Sequence, residues 1–249
     1  PRRPCRGVLL YTERDARPKP LRGRAPFVNV ELGHAAREVT VRKVGTKGRM
    51  TLAGVLQLAC VSLLYAAQEA SPRQVIETLH DGMIAVMRDS GASSFDSRAA
   101  RLEPLLDTAF DLDFMARKSL GRAFDKLPAD EQQRWIATFR RFMVANYAGR
   151  MKGYDGQRFE TLGEEPAAQD TVLVRTRLID PGAENMDLAY RLRRTKSGWK
   201  VIDVYLKGTV SELSLRRADF TAILEREGFP ALLASVDAKI ADLAAGKVK

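Results

Sequence analysis

The sequence predicts an α+β domain of about six helices packed on one curved, four-stranded antiparallel sheet. Two observations carry this. Apolar residues recur at helical spacing from Val75 to Met151, and after Gly156 the period changes from 3.6 to 2. Two more helical segments follow the last strand. The strands are therefore consecutive and form a meander, not a parallel βαβ sheet.

The elements follow in order. Ser71 stands as N-cap and Pro72 at the first helical position of a helix over 72–90. Val75, Ile76, Leu79, Met83, Val86 and Met87 form its stripe, and Gly91 and Ser93-Ser94 end it. Asp96 to Leu106 is a short second helix, which Pro104 kinks or ends. Asp111 or Asp113 caps a third helix carrying Phe114, Met115, Leu120 and Phe124. Leu127-Pro128-Ala129-Asp130-Glu131 starts a fourth, which runs to about Gly153. Its stripe is Trp135, Ile136, Phe139, Phe142, Met143, Tyr147 and Met151, with Arg134, Thr138, Arg141, Asn146 and Arg150 largely off it.

Gln157 to Leu162 reads as the first strand, with Glu164-Glu165 in a surface loop beside Pro166. Val172 to Ile179 and Leu188 to Arg193 alternate as the second and third, divided by the turn Asp180-Pro181-Gly182. After Lys196-Ser197-Gly198, Trp199 to Lys207 is the fourth, apolar on both faces between its lysines except at Asp203. Thr209 and Glu212 form a capping box for a fifth helix, which Gly228 closes. Pro230 starts the last helix.

The chain of 249 residues has 41 Lys+Arg against 31 Asp+Glu, a net charge of +10. The first 50 residues hold 13 of those bases and four of the acids, so the remainder is nearly neutral. That distribution provides no global field for a polyanion, and no nucleic-acid partner is expected. After residue 67 there is one His and no Cys, which excludes Cys- and His-rich zinc, a Cys nucleophile and an intramolecular disulfide there.

Residues 1–40, with five prolines and nine bases, read as disordered or not natively translated. Residues 41–70 read as a secretory signal peptide. Arg42, Lys43, Lys47 and Arg49 precede the uncharged stretch Thr51–Gln68, and Ala66 and Ala67 are the best cleavage positions. A retained membrane anchor or a buried helix is the alternative. Translation is expected to start at Val41, Val44 or Met50. Residues 71–249 are then the exported domain.

No P-loop, Gly-x-Gly-x-x-Gly, Gly-x-Ser-x-Gly or His-Glu-x-x-His motif is present. His80, on the polar side of its helix, reads as a solvated surface residue. Asp203 has two readings: a general base in a pocket, or a carboxylate that ties down a helix end or loop. Large flexible residues on the helices suit variable apolar ligands and equally suit a core. The pairs Arg140-Arg141, Arg193-Arg194 and Arg216-Arg217 could hold a lipid phosphate or an acidic partner, or form solvated faces.

Several segments together then become recognisable. They are Phe110–Ala116, Leu127–Gln132 with Phe139-Arg140-Arg141-Phe142 and Tyr147, Tyr154–Gln157, Leu178–Pro181 and Trp199–Ser211. In this order they resemble the toluene-tolerance/Mla family of periplasmic phospholipid-binding proteins. Trp199–Ser211 and Arg216-Arg217 with Phe220 are most similar to its hopanoid-biosynthesis-associated branch. The resemblance spans about residues 72–245.

It implies a soluble periplasmic carrier, monomeric, with no catalytic residue, metal or cofactor. Lipid chains, from phospholipid or hopanoid-type lipid, would lie in an apolar cavity between helices and sheet. The carrier would shuttle them between an inner-membrane ABC-transporter complex and an outer-membrane lipoprotein complex, in the pathway of outer-membrane lipid asymmetry. With the apolar face of 128–153 read as facing the sheet, Phe139, Met143 and Tyr147 are the expected lining, with Val204 and Leu206 from the last strand. Met83, Met87, Phe114 and Leu120 complete the expected lipid-binding set. The rival is a small pocket-containing α+β enzyme using Asp203 as its base.

The layout of residues 41–70 sets the first prediction. Cell fractionation should recover the mature protein from the periplasm; recovery solely from the cytosol contradicts export.

Overall fold

The computed structural model describes residues 69–89 and 94–247; the first 40 residues, the proposed leader up to residue 68 and the turn at Gly91 lie outside them. The elements are α1 (Pro72–Asp89), α2 (Phe95–Ala109), α3 (Leu112–Leu120), a 3₁₀ segment (Gly121–Lys126) and α4 (Ala129–Arg150). Next come β1 (Arg158–Ala167), β2 (Thr171–Ile179), β3 (Met186–Thr195), β4 (Gly198–Leu206), β5 (Val210–Ser211), α5 (Glu212–Glu227) and α6 (Phe229–Ala244). One antiparallel sheet has the order β1-β2-β3-β4-β5. It has five strands where four were expected, because two residues of the segment read as a helix cap pair with β4.

The helix starts are made by short polar side chains. Ser71 Oγ accepts from the Gln74 N–H at 3.2 Å, while Gln74 Oε1 accepts from the Ser71 N–H at 2.8 Å. This is a complete capping box. Ser94 caps α2 through the Ser97 N–H. Pro104 lies inside α2 and does not end it; buried Leu102 and Leu106 hold the helix on either side of the missing N–H. Asp111, not Asp113, caps α3 through the Phe114 N–H at 3.1 Å. Its other oxygen takes Arg193 at 2.6 Å. The Asp111 N–H also donates to the Val201 carbonyl, so α3 starts where the chain is stitched to β4.

Three readings of the polar residues are corrected. Glu164, Glu165 and Pro166 are in β1, opposite Val174, Leu173 and Val172, not in a loop. β1 is the edge strand, where a residue without an N–H is tolerated, and a bulge at Leu162 shifts its register. α5 is capped by Ser211, whose Oγ accepts from the Ser214 N–H at 2.9 Å; Thr209 and Glu212 form no capping box. Thr138 and Asn146 are buried on α4 because that helix is covered on more than one side, packing chiefly against α2, α3 and α6. Trp135, with no exposed surface, donates from Nε1 to the Ala116 carbonyl at 2.8 Å.

His80 is the largest departure. It is 4% exposed, not solvated. Its ring stacks on Phe159 at 3.8 Å between centroids, and Nε2 shares a hydrogen bond of 3.0 Å with Tyr190 Oη. β1 and β3 reach across α1 and cover what would be the polar face of an isolated helix. Burial pushes the imidazole down to about 3, so it is neutral in the fold. An unfolded imidazole titrates near 6.5. Between pH 6.5 and about 3 the unfolded chain therefore binds a proton that the folded chain does not. Stability must fall with pH through that window. From pH 7.5 to 5 this group should cost about 2 kcal/mol. Urea denaturation at both pH values should show the loss, reduced by that amount in His80→Gln. Equal losses in the two proteins would assign the effect elsewhere.

Candidate functional site

An apolar pocket lies between α1, the C-terminal turn of α4 and the sheet, with a volume of about 310 Å³. Sheet register builds one wall. Phe159, Leu178 and Met186 are paired in one row across β1, β2 and β3, and Leu188 pairs with Leu206 in the next. Tyr190 and Val204 form the row beyond. Met83 and Met87, one turn apart on α1, supply the facing wall. Tyr147 and Met151 come from the end of α4. Four of the chain's seven methionines thus surround one space.

The charged groups sit on the same lining. Arg150 meets Glu212 at 3.4 Å, and Lys152 and Asp180 are close by. Met186, 43% exposed, marks where the pocket meets solvent. Burial raises both phenols, Tyr147 and Tyr190, well above the usual tyrosine range, so both are neutral. Such a pocket can take an apolar chain into its depth and leave a polar end beside Arg150, Lys152 and Glu212.

Of the expected lining residues, the structure brings Met83, Met87, Tyr147, Val204 and Leu206 together here. It does not bring Phe139, Met143, Leu120 or Phe114. Phe139, Met143 and Leu120 are in the packed core, because the middle of α4 faces helices rather than the sheet. Phe114 lies on another face, with the Arg193 guanidinium 4.1 Å above its ring. Sequence reasoning missed Phe159, Leu178, Met186 and Leu188. Their alternation along strands was visible; the register that aligns them was not.

Phe159 and Gln157 also line a polar groove of about 470 Å³ on the outer side of α1. That groove holds His80, Arg88 and Arg158 against Glu77 and Asp81. Its charges are mixed, and nothing in it converges on one point.

Asp203 is outside the apolar pocket. Its Oδ1 accepts from the Val204 and Leu213 N–H groups at 2.8 and 3.1 Å, and Oδ2 from Ser211 Oγ at 2.6 Å. It therefore ties β4 to β5 and the first turn of α5. Burial raises its pKa above the usual carboxylate value, against the lowering effect of these donors. All three donors belong to the chain itself, the arrangement of a structural anchor.

The fold and pocket define a class: an α+β domain with a methionine-rich, largely apolar pocket that also carries charged groups on its lining. The family model described as "MlaC protein" matches residues 77–238, well over half of the sequence, and the chain belongs to that family. A solved structure of the phospholipid-binding protein from Ralstonia solanacearum, in complex with a phospholipid, is similar at a TM-score of 0.60. The two are 22% identical, and the match covers 68% of this chain and 97% of that one. At that identity the likeness establishes the fold.

The anchoring of Asp203 sets a prediction. Asp203→Asn should lower stability by about 1.5–3 kcal/mol, seen in a thermal melt, with ligand binding kept in the folded fraction. An unchanged melt with binding abolished would instead make the carboxylate functional.

Proposed function

We propose that this protein is a periplasmic lipid carrier whose cargo chains enter the pocket between α1, α4 and the sheet. The observation that carries the reading is the ring of Met83, Met87, Met151 and Met186 around an apolar space walled by Leu178, Leu188 and Leu206. Unbranched thioethers change rotamer at little cost, so such a lining suits a flexible chain rather than a rigid ligand. Removal of apolar surface from water, at about 25 cal/mol per Å², supplies the affinity without any reacting group. The volume is at the low end for a small-molecule site, so loading a lipid chain requires the methionines to re-pack. Family membership and the phospholipid held by the Ralstonia relative support the same cargo class. The proposed leader supports export. Within this reading the carrier shuttles phospholipid or a hopanoid-type lipid between an inner-membrane ABC-transporter complex and an outer-membrane lipoprotein complex.

Organic extraction of the purified protein followed by mass spectrometry tests the cargo: lipid should be recovered in stoichiometric amount. Leu188→Glu places a charge on the half-buried wall and should fold yet lose at least nine-tenths of that lipid, since an unpaired charge in an apolar space costs several kcal/mol. Met143→Glu, in the core, should fail to fold instead. A folded Leu188→Glu with full lipid content would move the site elsewhere.

A further inference from the structure

Two shallow pockets, of about 340 and 200 Å³, adjoin on the face made by α3, the 3₁₀ segment and α5, sharing Phe114, Lys118 and Arg217. Neither shares a residue with the apolar pocket. Arg117, Lys118, Arg122 and Arg217 line the larger, and Arg191 joins the smaller. The acids are Asp125 and the already anchored Asp203.

Elsewhere in the fold arginines take carboxylates: Arg140 meets Asp107 and Asp113, Arg175 meets Glu165, and Arg177 meets Asp187. Among the described residues none of Arg117, Lys118, Arg122 and Arg217 forms an ion pair. Two are instead set on ring faces. Arg117 lies 5.5 Å from the centre of Phe124, and Lys118 Nζ lies 5.3 Å from that of Phe114. These contacts fix position while leaving the charge uncompensated.

The Arg217 guanidinium lies against Gly121. At Gly121, φ is +55°, and a Cβ there would come within 2.4 Å of the Arg217 guanidinium. Only glycine both adopts this backbone and lets the guanidinium lie against it.

We propose that this face is a binding site for a phosphate monoester group. Four cations facing one concavity repel one another, and a single carboxylate would offset one of them. A dianionic phosphate with three acceptor oxygens offsets two, and its oxygens match the forks of several guanidinium groups at once. The phosphate could belong to a soluble ester or to a headgroup at a membrane surface.

Calorimetric titration with glycerol 3-phosphate probes the first source. Co-sedimentation with phosphatidylcholine vesicles, with and without phosphatidate, probes the second. Binding should be saturable and should weaken with salt. Arg217→Ala and Lys118→Ala should each reduce it at least about tenfold, with melting temperature and extractable lipid unchanged. Arg175→Ala, on β2 and outside both pockets, should leave it unaltered. Glycerol 3-phosphate binding alone assigns a soluble ester; phosphatidate-dependent sedimentation alone assigns a headgroup; both support the shared chemistry. No saturable binding of either probe overturns the proposal and leaves the face to an acidic protein. Binding that survives both substitutions, or falls equally in Arg175→Ala, overturns it as well.

Discussion

The fold depends on covering one face of a short sheet. Val174, Tyr190, Leu192, Val201 and Val204 must leave water, and no single helix lies along all of them. α1 crosses toward β1, β2 and β4, while α2, α3 and α5 reach the sheet mainly at β4. α4 is held off by the helices beneath it. The incomplete cover between α1 and the end of α4 is the pocket. It is thus a product of layer geometry rather than of any one missing side chain.

Asp111 shows how that geometry is fixed. A single residue caps α3, holds Arg193 of β3 and receives β4 through its backbone. Arg193 in turn covers Phe114. Three elements distant in sequence are joined at one residue. Asp203 does the same for β4, β5 and α5. With the cover pinned at both places, the lining between them need not be rigid, and methionine can be used there.

Much of this was legible in the sequence, for local reasons. The Ser71 and Asp111 caps, the stripes of α1 and α4 and the turn at Asp180 all rest on contacts within a few residues. What failed depended on partners far along the chain. His80 looks solvated on a helical wheel; β1 and β3 bury it. Phe139 and Met143 look like lining on a helix assumed to face the sheet; α2, α3 and α6 take that face. Glu164 to Pro166 look like a loop until the edge position of β1 makes them acceptable in a strand. Five of the residues expected in a lining do border one pocket, because helix α1, the last turn of α4 and β4 meet it with the faces their own periodicity selects.

The methionine lining also has a chemical side. Thioethers are the most readily oxidised of the apolar groups, and a sulfoxide is a strong dipole. Met186, at the solvent edge, is the one that a diffusing oxidant meets first. Each sulfoxide formed there would replace adaptable apolar surface by a hydrogen-bond acceptor that no lining side chain except the tyrosine hydroxyls, Arg150, Lys152 and Gln157 could satisfy. The methionines that line the pocket are also those through which oxidation would change its polarity.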